Sequence, residues 1–250
     1  MNMKILNFGS CNIDFVYTLD HVAGVGETLA THKLKTYPGG KGLNQSIAMS
    51  RAGAKVYHAG CIGESGEILT EILADNDVCT SFVKHIDGKN GHAIIQVSRE
   101  GENSIFVYHG SNGMISKEYI DEVLSHFVKG DFLLLQNEIN NIDYLIKKAN
   151  QKQMQIFLNP SPYNEKIAEI DLRLVSYLIL NHAEATAISG LSEIDDILQY
   201  FLTHYPNLKV MLTLGKDGSV YQDKNQKISH PIFKVHTVDK TAAGDVKTFF

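Results

Sequence analysis

Phe132-Leu133-Leu134-Leu135, a helical pattern over residues 142–151, then Ile156-Phe157-Leu158: this stretch decides the fold. Both short runs are continuously apolar rather than alternating. A strand buried on both faces reads that way, and parallel sheets produce such strands. Strand, helix and strand in so short a span predict a parallel crossover unit.

The same rhythm continues outward. Further continuous runs lie at residues 5–8, 56–61, 177–180 and 210–214, and further helical patterns at 43–51, 67–75, 117–127 and 194–204. Leu69, Ile72 and Leu73 fall at i, i+3 and i+4, as do Ile194, Ile197 and Leu198, so each trio forms one apolar stripe. The pattern predicts an α/β fold with a mostly parallel central sheet flanked by helices on both faces. No repeat, heptad or linker divides residues 1–250, so one domain is expected.

Two stretches break the rhythm. Runs rich in β-formers at 92–98 and 104–109 flank Arg99-Glu100-Gly101-Glu102-Asn103, a hairpin signal. Residues 15–19 and 28–34 read as further short strands around Ala23-Gly24-Val25-Gly26. Together they predict a small β-layer beside the main sheet, from about residues 12–36 and 90–110. Such a layer is either a lid or a set of extra edge strands without motion.

Composition excludes several functions. Apolar residues make up 44% and charged residues 20% of 250, which is ordinary globular usage. The net charge is −5, so no basic surplus exists for a nucleic-acid backbone. No apolar run approaches the roughly 18 residues of a membrane span. The start, Met1 to Gly9, is too short in apolar residues for a signal peptide, and a cytoplasmic protein is expected. Cys11, Cys61 and Cys79 are odd in number and lack CxxC spacing, and the eleven histidines form no HxxxH, so neither a disulfide framework nor a zinc site is expected.

Five segments could carry chemistry. Asn12 and Asp14 follow the first strand two residues apart and share a side of an extended chain. An amide and a carboxylate can hold vicinal hydroxyls, or the pair can end the strand in an Asx turn. Pro38-Gly39-Gly40-Lys41-Gly42, before Leu43-Asn44-Gln45, lets backbone pass close to a ligand at a helix N-terminus, or is a tight turn alone. Asn181-His182-Ala183-Glu184 is a capping box if a helix starts there, and Glu184 also suits a hydrated Mg²⁺. Thr213-Leu214-Gly215-Lys216-Asp217-Gly218 is a hairpin turn or a nucleotide edge. In Ala242-Ala243-Gly244-Asp245, a helix N-terminus would form an anion hole and Asp245 could take a proton from an attacking hydroxyl. Gly60-Cys61-Ile62-Gly63-Glu64-Ser65-Gly66 is GxxGxxG rather than GxGxxG, which makes a dinucleotide oxidoreductase a weak reading.

In this order, the five segments resemble the ribokinase-like (PfkB-type) sugar kinase family, from residue 5 to about 245. The resemblance implies a central sheet with a β-lid and ATP-dependent phosphorylation of a small sugar, ribose favoured. It implies that Asn12, Asp14, Gly40, Lys41, Gly42, Asn44 and Glu138 bind the sugar. Asn181, Glu184, Thr213, Gly215, Lys216 and Gly218 would line Mg-ATP, with Glu184 reaching the magnesium through water. Asp245 would be the base, and Ala242, Ala243 and Gly244 the anion hole. Asp239 and Thr241 fall in the family's monovalent-cation loop, which implies K⁺. A homodimer through the lid is implied as well.

Two departures accompany the resemblance. Lys240 replaces a small residue, and Val246-Lys247 replaces the usual Thr-Phe. Five residues follow Asp245, where the family continues through further helices, so the C-terminal part of the family domain is expected to be absent. The alternative reading is therefore a non-catalytic sugar-binding or dimerising remnant with an incomplete ATP site.

Overall fold

The computed structural model describes residues 3–232. Asp239, Thr241, Ala242, Ala243, Gly244 and Asp245 lie outside the described residues.

The chain begins with β1 (Ile5–Phe8), β2 (Asn12–Thr18) and β3 (Lys33–Gly39), followed by α1 (Lys41–Arg51), β4 (Val56–Glu64) and α2 (Glu67–Ala74). Next come β5 (Cys79–Lys89), β6 (His92–Val97), β7 (Asn103–Tyr108), α3 (Lys117–Ser125), β8 (Phe132–Gln136) and α4 (Ile142–Gln151). The remainder is β9 (Gln155–Asn159), β10 (Tyr177–Asn181), α5 (His182–Ser189), α6 (Ile194–His204), β11 (Lys209–Thr213), β12 (Ser219–Gln222) and β13 (Lys227–His230).

The main sheet has the order β13-β12-β11-β10-β9-β8-β1-β4-β5. From β11 to β5 every pairing is parallel, and the β12–β13 hairpin adds an antiparallel edge. The deciding stretch behaves as its pattern requires. Leu133 and Leu135 join the core under α3, α4, α5 and α6, which includes Ile120, Leu145, Ala185 and Ile197. Leu134 points the other way, to the core shared with Leu43, Met49, Leu69 and Leu73 of α1 and α2. Period-two alternation thus feeds two apolar layers, and each fully buried Leu or Phe contributes about 1.5–3 kcal/mol relative to exposure.

A second sheet, β3-β2-β6-β7, forms the expected β-layer. Its β2–β6 pair is parallel, while β2–β3 and β6–β7 are antiparallel. The strand expected at 28–34 is displaced. Residues 28–32 are irregular and the strand is Lys33–Gly39, with Pro38 inside it. A proline is tolerated there because β3 is an edge strand, which can spare an N–H. The long strand β5 carries no apolar run, because it is the outer edge of the main sheet and is largely exposed. Gly63 explains part of the GxxGxxG segment: a Cβ there would lie 2.4 Å from the carbonyl oxygen of Gly88, so the glycine allows close strand approach rather than a dinucleotide.

No helix among the described residues is long and apolar enough to cross a membrane. All three cysteines are unbridged.

Candidate functional site

The strand order reverses between β1 and β8: the chain leaves β1 toward β4 and β5, then returns to β8 on the other side. The crevice beyond the carboxyl ends of such strands is where open α/β sheets bind ligands. Gly9 and Ser10 follow β1, and Asn137 and Glu138 follow β8, so both loops open into this crevice.

Ser10 Oγ donates to Glu138 Oε2 at 2.5 Å. The same carboxylate oxygen accepts the backbone N–H of Lys41 at 2.8 Å. Ser10 Oγ accepts Gly42 N at 3.2 Å, and the Ser10 carbonyl accepts Leu43 N at 2.9 Å. The first N–H groups of α1 are therefore satisfied by Ser10 and Glu138. The helix start is held by protein groups, and it holds them in turn. Gly40 precedes the helix with φ +94°, a left-handed value that suits glycine. Asn44 lies in the first turn, its N–H bonded to the Gly40 carbonyl at 3.0 Å.

Asn12 and Asp14 both lie on β2, not in an Asx turn, and alternation gives them one face. Asn12 is buried and Asp14 is half-buried. Burial, followed by the nearby charge of Glu138, raises the Asp14 carboxyl to about 6. Its carboxylate lies over Gly39, where a Cβ would come within 2.1 Å of Oδ2. The structure thus brings Asn12, Asp14, Gly40, Lys41, Gly42, Asn44 and Glu138 to the mouth of one crevice.

Beneath that mouth runs a buried polar chain. Asn7 Nδ2 donates to Gly42 O at 2.7 Å and to Ser46 Oγ at 2.8 Å. Ser46 Oγ lies 2.8 Å from Nδ1 of His58, whose Nε2 lies 3.2 Å from Cys11 Sγ. Burial lowers His58 to about 4, so the ring is neutral. Burial also pushes the Cys11 thiol well up, so it carries no thiolate. Sequence reasoning missed Asn7, Ser46 and His58, together with Ser10 and Asn112. Asn7 and His58 showed only as polar side chains within apolar strands, while Ser46 on α1 and Asn112 in a turn after β7 gave no signal of their own.

A second cleft, of about 540 Å³, opens at the carboxyl ends of β10 and β11. It is lined by Asn181, His182, Ala183, Ile194, Thr213, Leu214, Gly215 and Asp217. Asn181 and Thr213 are register partners, which fixes both at this end. The capping box is realised in full: Glu184 N donates to Asn181 Oδ1 at 2.9 Å, and Asn181 N to Glu184 Oε2 at 3.0 Å. Gly218 does not line the cleft but closes the hairpin, its carbonyl accepting Leu214 N at 2.8 Å. Lys216 lies on the same turn, outside the lining. Among the described residues no group of three or more His, Cys, Asp or Glu could hold a metal.

Comparison with known proteins gives a consistent picture. Residues 2–247 match the family described as pfkB family carbohydrate kinase, a span that includes residues 242–245. The chain is 33% identical over 249 residues to the ribokinase of Bacillus subtilis (strain 168), covering 97% of this chain and 82% of the relative. It is 34% identical over 258 residues to the ribokinase of Staphylococcus aureus (strain COL), covering 98% and 84%. Its fold is similar to that of the Cryptococcus neoformans ribokinase solved in complex with ADP, with a TM-score of 0.83, 28% identity and coverage of 98% and 84%.

Proposed function

The chain belongs to the pfkB family of carbohydrate kinases, and from that premise we propose that it transfers the γ-phosphoryl group of ATP to the primary hydroxyl of ribose. The observation that carries this reading is the pairing of two sites at the carboxyl ends of the strands of one sheet. The crevice at β1 and β8 presents Asn12, Asp14 and Glu138, and the cleft at β10 and β11 presents Asn181, Thr213 and Gly215.

Each group has a role that fits its chemistry. The Asn12 amide donates to a hydroxyl oxygen, and the Asp14 and Glu138 carboxylates accept hydroxyl protons. The α1 N-terminus, with Gly40, Lys41, Gly42 and Asn44, forms the wall against which the sugar is oriented. Orientation of this kind is a large share of phosphoryl-transfer catalysis. The cleft takes the nucleotide, with Lys216 and Gly218 on the turn at its rim.

Asp245 takes the proton of the attacking hydroxyl. Backbone N–H groups of Ala242, Ala243 and Gly244 stabilise the transferring phosphoryl. Mg²⁺ is normally held by one or two carboxylates together with substrate phosphates and water. Glu184, a buried carboxylate at the cleft end of α5, suits that donor set. When bound, the ion neutralises charge on the β- and γ-phosphates. Asp239 and Thr241 are assigned to a monovalent cation, K⁺.

The lid's other face supports a homodimer. Alternation puts Asp14 on one face and Phe15 on the other. Ile94 and Phe106 are register partners in the same row as Phe15, and both are exposed. A cytoplasmic location accords with three unbridged cysteines.

The test is sugar-dependent ADP release over a panel of pentoses and hexoses. Turnover fastest with ribose is expected. Ribose binding without turnover would favour the non-catalytic alternative, which has less support because the family match extends through residue 245.

A further inference from the structure

We propose that Asn112 is a positioning residue: from the return leg of the lid it fixes which end of the Asn12 carboxamide faces the sugar, and so ties recognition to the arrangement of the lid's legs. The inference rests on the reading of Asn12 as a sugar ligand.

Asn112 lies in a single 3-10 turn, Gly110–Gly113, just after β7 leaves the lid. It is 1% exposed and 100 residues from Asn12 in sequence. Its Oδ1 accepts the backbone N–H of Cys11 at 3.0 Å. Its Nδ2 donates to Asn12 Oδ1 at 2.7 Å.

The direction of these bonds follows from chemistry. A backbone N–H can only donate, so the atom of Asn112 that meets Cys11 N must be the amide oxygen. The Asn112 nitrogen then faces Asn12. A nitrogen there can only donate, so Asn12 must present its oxygen to Asn112. That leaves the two amide hydrogens of Asn12 for another acceptor. One fixed backbone donor at Cys11 thus propagates through two carboxamides. The result is a hydrogen-bond donor in the crevice, two residues along the same face from the Asp14 acceptor. Without Asn112, the Asn12 amide could rotate by half a turn and offer a carbonyl in its place.

Three lid crossings meet at this bond. Asn12 begins β2, Gly91 joins β5 to β6, and Asn112 follows β7. A Cβ on Gly91 would lie 2.1 Å from Asn112 Nδ2 and 2.6 Å from Asn12 Oδ1, so the middle crossing presses directly on the pair. Gly91 O also accepts Ile13 N at 3.0 Å, and Gly91 N donates to Ser111 Oγ at 3.3 Å, so this residue ties the same three segments together. A relative shift of the legs must lengthen the amide–amide bond and release the orientation of Asn12.

The test is ribose affinity by calorimetry on the intact chain, so that the readout does not depend on turnover. The variants are Asn12→Ala, Asn112→Ala, Asn112→Asp and the doubles with Asn12→Ala. Asn112→Asp keeps an acceptor for Cys11 N but cannot donate to Asn12. Expected is a loss of about tenfold for Asn12→Ala, a comparable loss for both Asn112 variants, and no further loss in either double. Two results overturn the inference alone: Asn112→Asp at wild-type affinity, which marks a purely structural role through Cys11, or losses that multiply in the doubles. Unchanged affinity in Asn12→Ala overturns instead the sugar-site reading on which the inference stands.

Discussion

Ser10 and Glu138 are 128 residues apart and share a 2.5 Å hydrogen bond across the crevice between β1 and β8. The bond joins the two loops at the point where strand order reverses, and both partners also hold the start of α1. Ser10→Ala removes the donor to Glu138 and the acceptor for Gly42 N together. A buried group left without its partner costs about 1–3 kcal/mol. Urea unfolding should therefore show a loss of stability in that range, and calorimetry a weaker ribose complex. Wild-type values for both would mean that the bond holds neither the helix start nor the carboxylate.

With Asp14 in its proposed sugar-binding role, the raised carboxyl predicts pH-dependent sugar binding. With a folded-state value of about 6 against an ordinary 3.8, the group is protonated in the folded chain between those values. A protonated carboxyl is a poorer acceptor, so ribose affinity should fall as pH drops through 6. Asp14→Asn should bind weakly at every pH and flatten the profile. The sign for stability is opposite. The folded state holds its proton more tightly than the unfolded chain, so the ligand-free protein loses stability as pH rises from about 4 to 6. The cost persists above that. Asp14→Asn should then stabilise the ligand-free protein at pH 7, on the order of 1–2 kcal/mol given its partial exposure. Paired denaturation curves at pH 4 and pH 7 measure it, and equal differences at the two values would contradict the assignment.

One substitution separates the capping role of Glu184 from the Mg²⁺ role proposed for it. In the capping box its side chain accepts the Asn181 N–H, which a glutamine can also do. Glu184→Gln should therefore keep the melting temperature, whereas Glu184→Ala should cost about 1 kcal/mol. The charge is what an ion needs. The glutamine variant should require more Mg²⁺ for half-maximal rate, with ribose affinity unchanged. An identical Mg²⁺ titration would leave Glu184 a helix cap only.

What was legible in the sequence follows from how each element is buried. Leu133 and Leu135 against Leu134 feed two cores, so their strand could only read as a continuous run, and the parallel sheet followed. Strand β5 escaped because an outer edge needs no such run: Ser81, Lys84, His85 and Asp87 interrupt it. The lid strand at 33–39 escaped because Pro38 normally argues against a strand, and only the sheet order reveals a tolerant edge. Within the site, the groups with recognisable chemistry stood out: Asn12, Asp14, the glycine run and the capping box. Ser10 and Asn112 did not. Ser10 acts through Gly42 and Glu138, 32 and 128 residues away, and Asn112 through Asn12 and Cys11, 100 and 101 residues away, and pairings of that range leave no local pattern to read.

The lid's outer face offers a direct test of assembly. Leu34, Ile94, Phe106 and Tyr108 are all exposed there, with Phe106 56% and Tyr108 53% accessible. Their register places them on the face opposite Asp14. A second copy covering this face would bury them, and a charge at its centre would oppose that burial. Light scattering should give a dimer mass for the native chain and a monomer mass for Phe106→Glu. A monomer mass for the native chain at high concentration would rule the lid dimer out.

Gly39 gives the sharpest separation between space and chemistry. The residue has no side chain to bind anything, yet a Cβ there would sit 2.1 Å from Asp14 Oδ2 and 2.5 Å from its Cγ. Real atoms do not approach so closely, so in Gly39→Ala either the carboxylate rotates away or β2 and β3 separate at their Asn12–Gly39 pairing. Gly39 lies in a regular strand outside the left-handed region, so alanine adds no backbone strain of its own. Gly40 differs, because its φ of +94° strains any residue with a Cβ. Gly39→Ala should thus weaken ribose binding about tenfold, as far as loss of a charged hydrogen bond would. Nucleotide affinity, measured at the other cleft, should be unchanged. The Gly39→Ala/Asp14→Ala double variant should bind ribose no worse than Asp14→Ala alone. A further loss in the double variant would show that the methyl group acts through the strand pairing, and not through the carboxylate.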